Sequence, residues 1–442
     1  MVNDLKQLLR DNVSSPPGDG IDLGEVLASG RRRVRRRRGV VGLGAVVAAA
    51  TVAVVAVGLP GLGSDRAGPA AQRPRPDAPT IRLSDAQRAS VGRDYEVLAT
   101  YTNRDLDAAN GQYFDGVTDD GLILFQDGPR DGTRLRTRLA LMDPATGTKD
   151  WLPDAGLGQD NIRPVQLGRH RIVLLSDNGT AEHWTAYTFD RETRSWSTTD
   201  WPGLPRTVEL DGAQLGPDGR LYVRSLVRAG EIPDGGWPKQ EDGDAEDADA
   251  QGDGYHLWSV SLSDGSDVRD EQLSVGAIAF TDDAMLWTDR ADGDAGRVHV
   301  RDLATGTEHS FDPHLGARCN VLGFTASGDR IVMSEYCGTY GKVRDDRLQI
   351  LTTSGDQVVT IQDDGVAGGV GADSDVVVAD GYRQGDDSGT YLYDLRTNRL
   401  LHIAHRMSHW SVGGPTRRNE FFWHTPVNGG RGATWWLGKL LD

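Results

Sequence analysis

Lysine is scarce and cysteine scarcer in this chain of 442 residues: five lysines stand against 43 arginines, and Cys319 and Cys337 are the only thiols. Two cysteines exclude a disulfide-stapled scaffold and any four-cysteine zinc ribbon. No Gly-x-Ser-x-Gly, Walker A or His-Glu-x-x-His sequence occurs, which removes the nucleophile elbow, the phosphate loop and the zinc-protease helix. No cofactor signature is present either. A positive balance is also missing, since 48 Lys and Arg face 65 Asp and Glu. The excess of acid is unevenly placed: residues 1–38 sum to +4, residues 39–80 to +1 and residues 81–442 to −22. That acidic bulk argues against nucleic acid as a partner.

Long apolar runs are absent with one exception. Residues 39–59 form 21 uncharged positions, all Val, Ala, Gly or Leu except Thr51, enough for a helix across about 30 Å of hydrocarbon. Arg31, Arg32, Arg33, Arg35, Arg36, Arg37 and Arg38 stand just before it. The positive-inside rule then predicts a single-pass membrane anchor with a cytoplasmic N-terminus and an extracytoplasmic remainder. A cleaved secretory signal is the alternative. It is opposed by the 38 residues preceding the run and by the lack of an Ala-x-Ala site just after Leu59. Residues 60–80, rich in Pro, Gly, Ala and Arg, read as an extended tether.

Beyond residue 80, short β-like runs alternate with turn residues. A strand-turn-strand unit, Leu139-Ala-Leu-Met-Asp143-Pro-Ala-Thr146-Gly147-Thr148, recurs with its first turn position at Asp190, Asp302 and Asp394, and in shortened form at Ser261 and Thr352. The spacings are 47, 71, 41, 50 and 42, and a further 42 falls within 434–440. Asp or Thr ends the strand by bonding turn amides, and Gly or Asn takes the positive-φ position. A second hairpin precedes the first, as at Asp218-Gly219 and Gly328. Two hairpins per repeat give a four-stranded sheet that must stack on its neighbours, and seven repeats predict an all-β, seven-bladed β-propeller, with six or eight blades as the alternative counts. Tyr95–Tyr101 is the candidate strand for closing the ring. These units resemble the blades of WD40, YVTN and TolB-like propellers over roughly residues 95–442, a resemblance that implies architecture and not activity.

The spacing of 71 contains residues 230–254, with nine acids and one lysine. Such charge density predicts a loop inserted into the propeller, and its offsets depart from a calcium loop at positions six and twelve. Cys319 and Cys337 flank the hairpin turn at Gly328 symmetrically, which predicts a cross-strand disulfide. His402, His405 and His409 are the densest histidine group and read as surface histidines rather than zinc ligands. Asp143 to Trp151 resembles the docking motif of pyrroloquinoline-quinone propellers, where the Trp locks neighbouring blades.

In the N-terminal tail, Leu5, Leu8 and Leu9 lie at helical spacing before Pro16-Pro17 and mark a candidate surface for a cytoplasmic partner. The layout of short helix, arginine run, single span and propeller resembles membrane proteins of GC-rich bacteria to which restraint of sigma factors is ascribed. The sequence thus predicts a membrane protein whose propeller binds a protein, peptide or envelope ligand without catalysis and signals to a cytoplasmic regulator such as a sigma factor. The alternative is a hydrolase or lyase with acids in the central funnel.

Overall fold

The structure is a computed structural model and describes residues 75–105, 110–129, 138–157, 162–176, 184–205, 208–230, 251–316, 319–337, 346–382, 385–407 and 414–441. The tail with Leu5, Leu8, Leu9 and the seven arginines, the apolar run 39–59 and residues 231–250 of the acidic loop lie outside them. Among the described residues no helix is long and apolar enough to cross a membrane.

Seven antiparallel sheets follow one another along the chain, at 110–151, 162–200, 208–275, 278–311, 319–363, 366–405 and 420–440. We number them blades 1 to 7. The buried apolar side chains fall into seven clusters, one at each junction between neighbouring blades. One cluster joins Trp435 and Leu437 of blade 7 to Phe114 and Phe125 of blade 1, so the ring is closed. This is why the strands read as apolar on both faces: each sheet is covered on both sides, and each buried aliphatic or aromatic side chain contributes about 1.5–3 kcal/mol.

The repeated turn forms as its chemistry requires. Asp143 Oδ1 accepts from the amides of Ala145 (2.8 Å) and Thr146 (3.0 Å), and Asp302 Oδ1 accepts from that of Thr305 (2.7 Å). Gly147, Gly306 and Asn398 adopt positive φ, and in the second copy Arg194 does so at 53°. All six repeat anchors, from Asp143 to Asp394, lie at the turn between third and fourth strands of blades 1 to 6.

Ring closure uses the strand Tyr95–Asn103, which pairs antiparallel with Gly432–Leu440 from Leu440↔Tyr95 to Ala433↔Asn103. Tyr95 packs on Phe421 and Trp423 at 6.0 and 5.7 Å between ring centroids. Residues 75–94 before it form a strap along the outer edges of blades 5 and 6. Thr80–Ile81 adds a parallel strand to Gln357–Asp363, and Gln87–Arg88 adds one to Arg399–His405. Between them Leu83 is buried in the cluster joining the two blades, and its amide donates to Asp363 Oδ2 at 3.0 Å. The portion of the expected tether within the described residues, 75–80, therefore lies against blade 5.

Candidate functional site: the long-connection face and the inner-strand bulge of blade 1

Antiparallel order divides the ring into two faces. Turns from first to second and from third to fourth strand open on one face. They are short, as where Ser327 pairs with Arg330 across two residues. Second strands end on the other face, at Arg228, Thr288 and Cys337 of blades 3, 4 and 5, and the third strands begin there at Gly254, Val298 and Asp346. A rigid ring with long connections on one face is the usual arrangement for presenting binding loops.

The acidic loop leaves and returns on this face at a fixed root. The Gly230 amide donates to Asp253 Oδ1 at 2.5 Å, and Asp253 and Ala291 exchange backbone bonds of 2.7 and 3.0 Å. Gln251 then bridges to Asp294, and the Val321 amide donates to Gly293 O at 2.9 Å. Val321 belongs to the innermost strand of blade 5, Cys319–Ser327, so the root of the loop is tied through residues 291–294 to the wall of the central channel.

The innermost strand of blade 1, Asn110–Val117, carries a second feature. Phe114 pairs with Phe125 and Val117 with Ile123, so Asp115 and Gly116 oppose the single residue Leu124 in a β-bulge. The Val117 amide donates to Pro415 O at 2.7 Å, where the two ends of the ring meet. Gly116 has φ 125°, and a Cβ there would lie 2.3 Å from Leu167 Cδ1, so the bulge needs glycine. Asp115 is 7% exposed, and its Oδ2 has no hydrogen-bond partner. Burial alone pushes its carboxyl up to about 8. Tyr113, two residues earlier, has its phenol raised by burial and by the Asp115 charge. Directly opposite Tyr113 stands Gln126, 8% exposed, whose Oε1 is also unpartnered.

Other buried acids fasten second strands to third strands. Asp127 faces Arg138 at 4.0 Å, Glu335 accepts from Arg347 and Asp380 accepts from Thr390 Oγ1 at 3.0 Å, each between directly paired residues. Burial raises Glu335, opposed by Arg347, and pushes Asp380 up to about 6. These groups belong to the blades' own framework.

The residues singled out in the sequence fare differently. Cys319 and Cys337 are directly paired with bonded sulfurs and a Cα separation of 4.1 Å. Turn symmetry alone does not bring this about. Near the turn the partners sum to one more than Cys319 and Cys337 do, and a bulge at Leu322, between Val321↔Glu335 and Gly323↔Ser334, supplies the shift. With Glu335 the two cysteines are the one metal-like gathering among the described residues, and their sulfurs are taken up by the bond between them. His402 Nε2 lies 3.0 Å from Ala404 O and the His405 ring packs on its ring at 4.2 Å, while His409 lies outside the described residues. Trp151 packs within its own blade, under Arg138 at 4.0 Å and 6.2 Å from Phe125. The tie to blade 2 is made beside it, where Arg194 binds Asp150 at 2.8 Å and the Trp151 carbonyl at 3.1 Å. Asp115 was not singled out, although its Asp-Gly pair recurs at Asp211-Gly212 in the innermost strand of blade 3 and is the available signal.

No protein-family model and no curated protein matches this sequence. Among solved structures, oligogalacturonate lyase from Vibrio parahaemolyticus is 13% identical with a TM-score of 0.49, covering 79% of this chain and 98% of that one. The propeller domain of the trilobed protease from Pyrococcus furiosus is 11% identical with a TM-score of 0.46, covering 75% and 97%. Acylaminoacyl peptidase from Pyrococcus horikoshii is 12% identical with a TM-score of 0.47, covering 77% of this chain and 54% of that one. The chain thus spans about half the length of that peptidase. The propeller is established by this chain's own seven sheets, and no activity passes to it from these proteins.

Proposed function

We propose that this protein is a non-catalytic, membrane-anchored propeller that binds a protein, peptide or envelope ligand on its long-connection face. In this reading residues 39–59 hold it in the cell membrane, and residues 1–38 signal to a cytoplasmic regulator such as a sigma factor. The observation that carries the binding role is the division of the ring. One face is closed by short, self-satisfied turns, while on the other the strands of blades 3, 4 and 5 are separated by longer stretches of sequence, and the root of the acidic segment, Gly230 and Asp253, is pinned to the channel wall. The seven arginines before the apolar run support the topology.

One observation favours the hydrolase or lyase reading: Asp115 holds a proton near neutrality and so has one to deliver. A glycosidase-type pair needs a second carboxyl about 5–10 Å away, whose repulsion would add to the shift, and burial is its only cause. Crosslinked capture from membranes tests the proposal, comparing the full chain with forms lacking residues 1–30 or 231–250. A cytoplasmic regulator recovered only when residues 1–30 are present, and an envelope partner lost with 231–250, are the expected results. Identical recoveries from all three would refute it, and turnover of glycan or peptide substrates lost in Asp115→Asn would replace it with the enzyme.

A further inference from the structure

We propose that the first part of the strap, residues 75–89, is releasable: it leaves the rim of blades 5 and 6 as a unit while the ring stays closed, and the place it vacates binds an extended peptide anchored by a leucine. The strap is then a cis occupant of a strand-addition site. Neither statement depends on the ligand of the long-connection face.

Little holds these residues down. From 75 to 89 only Leu83 is buried. The two parallel strands are two residues long, Thr80–Ile81 on Gln357–Asp363 and Gln87–Arg88 on Arg399–His405. Other ties are single hydrogen bonds near the surface: the Asp77 amide donates to Gln357 Oε1 at 2.5 Å, the Thr360 amide to Pro79 O at 3.0 Å and the Ala89 amide to His402 O at 3.0 Å. A segment with so few buried contacts opens far more readily than the sheets beneath it.

The ring is fastened separately, just past the strap. Residues 90–95 close on themselves, since the Ser90 amide donates to Asp94 Oδ2 at 2.9 Å, the Asp94 amide to Ser90 O at 3.0 Å and the Gly92 amide to Tyr95 O at 2.7 Å. Asp94 is 5% exposed; its Oδ1 accepts from Arg399 of blade 6 at 2.9 Å, and its carbonyl accepts from the Leu441 amide at 3.0 Å. Lifting residues 75–89 therefore leaves the closing strand Tyr95–Asn103 in place.

What it uncovers is more than a sheet edge. Blades 1 to 4 end in outer strands that carry no further strand, so an open edge by itself recruits nothing here. The rim of blades 5 and 6 differs by its notch. Leu83 fills a cluster with Val359 and Ile361 of blade 5 and Val377 and Tyr391 of blade 6, with Ile81 and Ala86 packed against it. Its Cδ1 lies so close to Gly381 that a Cβ there would come within 3.0 Å. Its amide donates to Asp363 Oδ2 at 3.0 Å. An apolar notch for one leucine, a carboxylate for that leucine's amide and strand edges on either side define an extended peptide as the occupant.

Two measurements on the full chain test this. In native-state hydrogen exchange, the amides of Leu83, Ala89 and Thr360 should exchange about 100-fold or more faster than those of Ile350 and Leu392 in the third strands of the same blades. Leu83→Ala should accelerate Ala89 and Thr360 about tenfold or more and leave Ile350 and Leu392 unchanged. Strap amides as slow as Ile350 and Leu392, or all of them accelerated equally, would overturn the release. The second probe is a labelled peptide with the sequence of residues 77–88, followed by fluorescence anisotropy. It should bind the Leu83→Ala chain about tenfold more tightly than the unaltered chain, whose own strap competes at high effective concentration, and should fail when its leucine is replaced by serine. Absence of binding, equal binding to both chains, or binding that survives the serine would overturn the site.

Discussion

At the scale of single residues, the informative groups are buried acids, and their environments differ. Asp115 has an ordinary carboxyl value of 3.8 that burial raises to about 8. The native state therefore holds this proton more tightly than the unfolded chain does. The associated stability is complete below about pH 4, is lost as pH rises towards 8, and is flat above that. Asp115→Asn removes the penalty, so thermal unfolding should show stabilisation on the order of a few kcal/mol at pH 8 and almost none near pH 4. Equal melting shifts at both pH values would show that the carboxyl is not desolvated. Glu335 has the opposite role. Its buried carboxylate receives Arg347, which also donates to Leu315 O. Glu335→Ala leaves that guanidinium buried and unpaired, and denaturant unfolding should show a loss of about 3–5 kcal/mol. Neither environment is legible in the sequence, because acids are common throughout residues 81–442 and only the register across strands separates a bulged Asp115 from a paired Asp127.

At the scale of the element, the hairpin 319–337 shows what sequence reading reached and where it stopped. Turn chemistry located Gly328, and symmetry about it brought Cys319 opposite Cys337. The ladder beside the turn runs in a register that would place Cys319 one residue off, and the bulge at Leu322 corrects it. Leu322 is 59% exposed on an otherwise buried strand, which is the signature of a residue displaced from the ladder. Deleting Leu322 should therefore absorb the bulge and keep Cys319 opposite Cys337, whereas inserting one residue after Leu322 should move Cys319 one position off and leave two thiols that react under denaturing, non-reducing conditions. Loss of the bond through Cys319→Ser with Cys337→Ser should lower stability by about 3 kcal/mol, as for a loop of similar length. The turn elements were readable because Asp, Thr and Gly act locally. The strap was not, since Thr80–Ile81 and Gln87–Arg88 are two-residue strands recognised only by the edges they pair with.

At the scale of the whole molecule, the repeat spacing led to the ring and its count. Closure depends on a strand from the far end of the sequence, and Tyr95, Phe421, Trp423 and Trp436 pack together at that seam. Removing residues 1–103 should abolish cooperative unfolding, while removing residues 1–74 should preserve it; calorimetry distinguishes the two. Anchoring in the membrane and signalling by the tail are proposals that rest on the arginines and residues 39–59 of the sequence. The most direct test of the central claim is the affinity of the full chain for a labelled oligolysine peptide, with and without residues 231–250, across a salt series. Binding that weakens with salt and falls when 231–250 are removed is expected for an acidic, ligand-binding long-connection face. Affinity independent of both, or no binding at all, would contradict it.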